Sequence, residues 1–138
     1  MISLLLILTI TSIFFNNSHL AQLVHSSQTA HTKPGVTVEY GNYLTSGCVS
    51  CHGSDYTGGP IVGGEPGWPP SANLTPDSLV GLGDWSKADF FAALRTGKRP
   101  DGRELDLVMH RMTVGEMSDD ELSAIWMFLQ SLPAVGSR

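Results

Sequence analysis

Five consecutive residues, Cys48-Val49-Ser50-Cys51-His52, carry the side chains in this sequence best suited to chemistry. Cysteines three apart share one side of a helical turn. Both thiols can therefore reach one edge of a flat ligand. The histidine that follows is carried beneath that ligand, where an imidazole nitrogen can bind a metal. This is the attachment pattern of a c-type haem, with two thioethers to the porphyrin vinyl groups and a proximal histidine on iron. Two other uses of a Cys-x-x-Cys pair are weighed against it. A redox disulfide of the thioredoxin type wants a surrounding βαβ pattern, and none is legible. A zinc site wants two more ligands at matching spacing, and the chain has no third cysteine. The expectation is one covalent haem c with its iron, held by Cys48, Cys51 and His52.

A haem with one histidine keeps an open face, and the occupant of that face decides the chemistry. Met109, His110 and Met112 fall together, far enough along the chain to return over the opposite side. A thioether favours ferrous iron and raises the reduction potential relative to a second nitrogen ligand. With two protein ligands no position is left for oxygen or peroxide, and the centre is suited to passing one electron. An open sixth position would give a five-coordinate sensor or enzyme instead, with His110 as its candidate base.

The elements that must position these residues read as short helices. A first helix is expected over residues 36–46, with Tyr40, Tyr43 and Leu44 as its apolar face and Gly41 permitting a close helix crossing. Gly47 breaks it just before the cysteines. Residues 53–83 differ in kind, because 13 of these 31 residues are Gly or Pro, which suits neither a long helix nor a central strand. A loop this long in a small domain needs something to wrap, and a haem supplies it. Ser86 to Asp89 reads as a capping box opening a second helix with Phe90, Phe91 and Leu94 on its buried face, ended by Gly97. Arg99-Pro100-Asp101-Gly102-Arg103 is a turn. Ser118 and Glu121 cap the last helix, Pro133 stops it, and Leu122, Ile125, Trp126, Leu129 and Leu132 recur at helical spacing. No run reads as a strand. The expected class is all-α, with three to four short helices around one cofactor.

Length and composition bound the rest. At 138 residues the chain is of single-domain size. Residues 2–15 are apolar and uncharged, too short for a spanning helix of about 20 residues but of signal-peptide length. Residues 1–30 are thus expected to be a signal peptide or N-terminal membrane anchor with its linker, and 36–138 the haem domain. His19, His25 and His31 lie in the polar linker and are given no role. Export agrees with the motif, because covalent haem attachment takes place outside the cytoplasm. The expected location is the periplasm or the outer face of the cytoplasmic membrane. No charged residue precedes Lys33, so the net charge of −5 belongs entirely to the exported part of the chain. That argues against nucleic acid as a partner and is compatible with a redox protein that bears a basic patch. About a hundred residues, nearly a third of them in a Gly/Pro-rich loop, make a marginal core. The apo-protein is therefore expected to be largely unfolded.

From Tyr40 to Pro133 the sequence resembles class I mono-haem cytochromes c. It is most similar to the bacterial branch that serves as cytochrome subunits or domains of membrane-bound alcohol, aldehyde and gluconate dehydrogenases. The resemblance rests on Gly41-Asn42-Tyr43-Leu44, the Cys48 to Gly53 motif, Asn73-Leu74-Thr75-Pro76-Asp77, Gly83-Asp84-Trp85-Ser86, Ala93-Leu94-Arg95-Thr96-Gly97, Arg99 to Arg103, and the Ser118 to Leu122 start of the last helix. It implies one-electron transfer in a respiratory or dehydrogenase-linked chain and no catalysis by the chain itself. A dehydrogenase would be the donor and an oxidase or another cytochrome the acceptor. The alternative is an electron-accepting subunit fixed in a larger membrane complex. The family's distal methionine stands about eight residues before the lead-in to the last helix, which selects Met109. His110 replaces the proline usual after that methionine, so His110 and Met112 stay as alternatives. The resemblance further implies a crossing of Gly41 and Leu44 with Ile125 and Phe128. It also implies a prolyl carbonyl, Pro60 or Pro66, on the second nitrogen of His52. Trp68, Trp85 and Arg103 are candidates to line the haem or meet its propionates.

Overall fold

The computed structural model describes residues 33–110 and 113–136. The apolar segment, the linker histidines and Met112 lie outside the described residues. Helix α1 (Val38–Leu44) is capped by Thr37, whose hydroxyl accepts from the Tyr40 N–H at 3.1 Å. It is shorter than the helix expected over 36–46. The Thr45 hydroxyl donates back to the carbonyls of Gly41 at 3.0 Å and Asn42 at 3.1 Å, and the chain tightens into a 3-10 turn, Thr45–Gly47. The buried face of α1 also differs from the expected one. Tyr43 is turned to solvent and stacks on Tyr40 at 6.1 Å, leaving Gly41 and Leu44 to face inward.

One further helical turn, α2 (Val49–His52), carries the cysteine–histidine motif and stops where Gly53 turns to φ 80°. Helix α3 (Lys87–Thr96) opens on a complete capping box between Ser86 and Asp89 and closes on Gly97 in the left-handed region. A single turn, α4 (Leu107–His110), and a 3-10 turn, Thr113–Glu116, lead to helix α5 (Asp119–Ser131). Its capping box pairs Ser118 with Glu121. The described residues contain no strand, only isolated bridges between Gly59 and Ser71 and between Lys98 and Glu104. The architecture is all-α, with the three longer helices and two single turns where three to four helices are expected.

The core forms where α1 crosses α5. Gly41 makes the crossing possible, because a methyl group there would overlap the Ala124 carbonyl and the Cβ of Phe128. Leu122, Ile125, Phe128 and Leu129 of α5 close over Tyr56, Leu82 and Phe90. Tyr56 is the one described non-glycine residue with positive φ, at 60°. Its ring is held edge-on to Phe128 at 5.4 Å, and its hydroxyl donates to Thr45 Oγ1 at 3.0 Å. Those contacts hold a conformation that sterics disfavour. They fix the start of the long loop 53–83, which runs out past His52 and back across it.

Candidate functional site

Beneath that loop lies a cavity of about 240 Å³. Its walls are mostly apolar, from Leu74, Leu82, Trp85, Phe90, Leu94 and Val114 among others. Cys48, His52 and Met109 all line it, although 57 residues of sequence separate the histidine from the methionine. The fold therefore brings three of the four expected site residues to one space. Cys51 sits on the same helical turn, half-exposed, and is not part of the cavity wall. No disulfide joins the two cysteines. Burial, together with the neighbouring Cys51, pushes the Cys48 thiol above its ordinary value and keeps it protonated at neutral pH. Of the alternative distal residues, His110 ends α4 and Met112 lies outside the described residues.

His52 is buried, and its Nδ1 lies 2.8 Å from the Ala72 carbonyl oxygen. A carbonyl can only accept, so Nδ1 carries the proton and Nε2 is left with a lone pair. Burial holds the imidazole below its ordinary pKa, against the opposing pull of that carbonyl. It is thus neutral at neutral pH, the form that binds metal. The carbonyl expected from Pro60 or Pro66 is supplied instead by Ala72. Both prolines are exposed on the outer part of the loop. The returning limb of the loop is pinned closer in, by paired bonds between Gly59 and Ser71 of 3.0 and 2.9 Å and by the Ser71 hydroxyl on the Cys51 carbonyl at 2.7 Å.

The charged residue at the cavity is Arg99, not the expected Arg103. Arg103 is held in the turn by a two-pronged pair with Asp101, at 2.9 and 2.7 Å, and points outward. Arg99 lines the cavity with its guanidinium over the Trp85 ring at 5.7 Å. Its Nε is buried with no hydrogen-bond acceptor among the described residues, the nearest Asp101 oxygen being 3.6 Å away. Trp85 lines the cavity as expected, whereas Trp68 does not. Arg99 and Arg103 bracket the same Pro-Asp-Gly turn. The available signal was the Asp101 between them: a turn aspartate occupied by one arginine leaves the other for the cavity.

The wall after Met109 is tied to α3. Arg95 donates to the carbonyls of Gly115 and Met117, the latter at 2.6 Å, and to Asp119 at 3.0 Å. A side chain at Gly115 would overlap the Leu94 carbonyl, so only glycine lets the 3-10 turn approach α3 this closely.

Comparison with known proteins gives this geometry its context. The sequence profile described as Cytochrome c matches residues 38–133. The chain belongs to the cytochrome c family. It is 34% identical over 97 residues to the cytochrome c subunit of a quinone alcohol dehydrogenase from Gluconobacter oxydans (strain 621H), covering 66% of this chain and 20% of the relative. It is 36% identical over 98 residues to the gluconate 2-dehydrogenase cytochrome c subunit of Pantoea cypripedii, covering 66% and 22%. To the fructose dehydrogenase cytochrome subunit of Gluconobacter japonicus it is 26% identical over 102 residues, covering 69% and 21%. The chain spans about a fifth of the length of these relatives. The cytochrome's cofactor is a covalent haem c with its iron, and Cys48 and Cys51 fit the attachment motif. Membership of the cytochrome c family supports electron transfer as the work of residues 38–133. The residues around the cavity suit that group. They combine an apolar wall, thiols at one edge, an imidazole lone pair, a thioether and an arginine with an unsatisfied buried N–H.

Proposed function

We propose that this cytochrome carries its haem on Cys48 and Cys51 and exchanges one electron at a His/Met-ligated iron, with His52 Nε2 as proximal ligand and Met109 as distal ligand. The observation that carries the proposal is that His52 and Met109 line one apolar cavity with Cys48 at its wall. The haem supplies reversible one-electron exchange between ferric and ferrous iron. The protein's part is to orient and exclude. The Ala72 carbonyl fixes the His52 tautomer, and the leucine and aromatic wall excludes water. Arg99, whose buried Nε has no acceptor among the described residues, would meet the propionates. Met109 would supply the distal ligand and so leave no vacant site for oxygen or peroxide.

The electron donor is a dehydrogenase and the acceptor an oxidase or another cytochrome. The dehydrogenase subunits among its relatives support the donor. The chain acts outside the cytoplasm, exported by its apolar N-terminal segment or anchored by it. No helix among the described residues is long and apolar enough to cross a membrane. Residues 36–138 form the haem domain.

An optical titration of the holoprotein in both redox states, with carbon monoxide added, tests the ligation. Wild type should ignore carbon monoxide and show the weak long-wavelength ferric band of a sulfur ligand. Met109→Ala should lose that band and bind the gas, while Met112→Ala should behave as wild type. Ready carbon monoxide binding by wild type would overturn the carrier reading in favour of a five-coordinate sensor or enzyme. Loss of the band in Met112→Ala alone would move the distal ligand to that residue.

A further inference from the structure

The hydrogen bond from His52 to Ala72 is made by a loop with no helix or strand of its own, so something else must hold the carbonyl in place. On one side the support is the Gly59–Ser71 pair and the close approach of Gly58. Gly58 has φ 72°, and a side chain there would overlap the Ser71 and Ala72 backbone. On the other side the support comes from the far end of the sequence. Asn73 is buried, 3% exposed, directly after Ala72. Its Oδ1 accepts from the Thr75 N–H at 2.8 Å, and its Nδ2 donates to the Val135 carbonyl at 2.6 Å. Thr75 is fully buried, and its hydroxyl donates to the same carbonyl at 3.0 Å and accepts from the Val135 N–H at 3.3 Å. Two buried polar side chains thus close on a single residue of an otherwise exposed segment after α5. Asn73 also lines the cavity, but the hydrogen bonds of both side chains run to Thr75 and Val135. They are supports.

We infer that Asn73 and Thr75, clamped on Val135, are positioning residues for the iron: the segment after α5 sets the strength of the His52 Nδ1–H bond to Ala72, and through it the reduction potential. This rests on the proposed role of His52 as proximal ligand. The physics is local. A strong bond from Nδ1–H to a carbonyl gives the imidazole more anionic character and stabilises ferric iron. If the Val135 clamp is released, the Ala72 carbonyl is held from one side only. The bond then lengthens and the potential rises.

The experiment uses the holoprotein and four variants: Asn73→Ala, Thr75→Val, Thr75→Ser, and a chain ending at Pro133. Two readouts are taken, the midpoint potential and the rate at which the His52 Nδ1–H exchanges with deuterium in the NMR spectrum. Asn73→Ala, Thr75→Val and the shortened chain should each raise the potential. Each should also speed exchange about tenfold, the factor expected from loss of roughly one buried hydrogen bond. Thr75→Ser keeps the hydroxyl and should match wild type. Combining Asn73→Ala with the shortened chain should add little to either alone, since both release one clamp. Variants that melt earlier with potential and exchange unchanged would reduce the clamp to a structural role and overturn the inference. So would a shift in Asn73→Ala that the shortened chain does not share. If Asn73→Ala takes up no haem, the Thr75 pair and the shortened chain decide. A wild-type spectrum without an iron-bound imidazole N–H would count against the proximal assignment itself. That failure is distinct from a signal that is present and unmoved.

Discussion

Replacing Gly41 with alanine is the sharpest test of how this fold holds its motif. The added methyl lies against the Ala124 carbonyl, with the carbonyl carbon at 2.6 Å and Phe128 Cβ at 2.7 Å. None of these atoms is the far end of a flexible side chain. The Ala124 atoms are backbone in the middle of α5, and Phe128 Cβ moves only with that backbone. Relief therefore requires α1 and α5 to separate. Overpacking a well-packed core costs about 1–3 kcal/mol, and two rigid neighbours place this case at the upper end. Alanine returns about 1 kcal/mol in helix propensity. The net loss is about 2 kcal/mol, which for a domain of this size lowers the melting temperature by about 8–16 °C. Gly47→Ala is the control, because nothing lies within 4 Å of its position and its φ is not positive. It should melt within a degree or two of wild type. Thermal unfolding of the holoproteins, followed by far-ultraviolet circular dichroism, reads both. A Gly41→Ala protein as stable as wild type would refute the idea that a glycine-limited crossing holds α1 against α5.

Two further predictions concern charge. Arg99→Leu should lower the midpoint potential, since removing a cation beside the cavity stabilises ferric iron, while Arg103→Leu, already paired with Asp101, should leave it unchanged; equal shifts in potentiometric titration would remove Arg99 from the site. The Ser118 N–H and hydroxyl hold the Glu121 carboxyl below its ordinary value of 4.5. Its folded pKa is depressed, so the unfolded chain binds the proton more readily. The stabilisation is present above 4.5 and is lost as pH falls through the lower folded value. Glu121→Gln should therefore melt below wild type at pH 6 and approach it as pH falls below the ordinary carboxylate value, and a constant gap across that range would contradict the capping assignment.

The starts of α3 and α5 and the covalent motif are legible because each is written in neighbouring residues. The Ser86/Asp89 and Ser118/Glu121 boxes form as their spacing predicts. The first helix was over-extended because the hydroxyl that tightens it belongs to Thr45, whose preference shows only once Tyr56 folds down onto it. Tyr43 misled for a related reason, since an aromatic ring at helical spacing is read as core unless its neighbour offers a stacking surface outside. The Ala72 carbonyl was not legible at all. Any backbone carbonyl of the loop would serve, and the choice is made by distant partners rather than by the identity of the residue.

The two faces of the cavity are supported in different ways, and that difference bears on what each can do. On the His52 side the supports are backbone pairs, a left-handed glycine and two buried polar side chains, all within a shell of hydrogen bonds. Each bond there has a fixed length to lose, so a perturbation shows as a change in the electronic character of one imidazole. The Met109 side is held by an exposed arginine gripping carbonyls after α4 and by the close approach of Gly115. Those contacts fix where the wall sits but reach no atom of the thioether. Substitutions on the proximal side should therefore tune the potential with the ligand set intact, while those on the distal side should change whether the ligand is bound. Under the proposed His52/Met109 ligation, this arrangement would let the potential be adjusted without opening the iron.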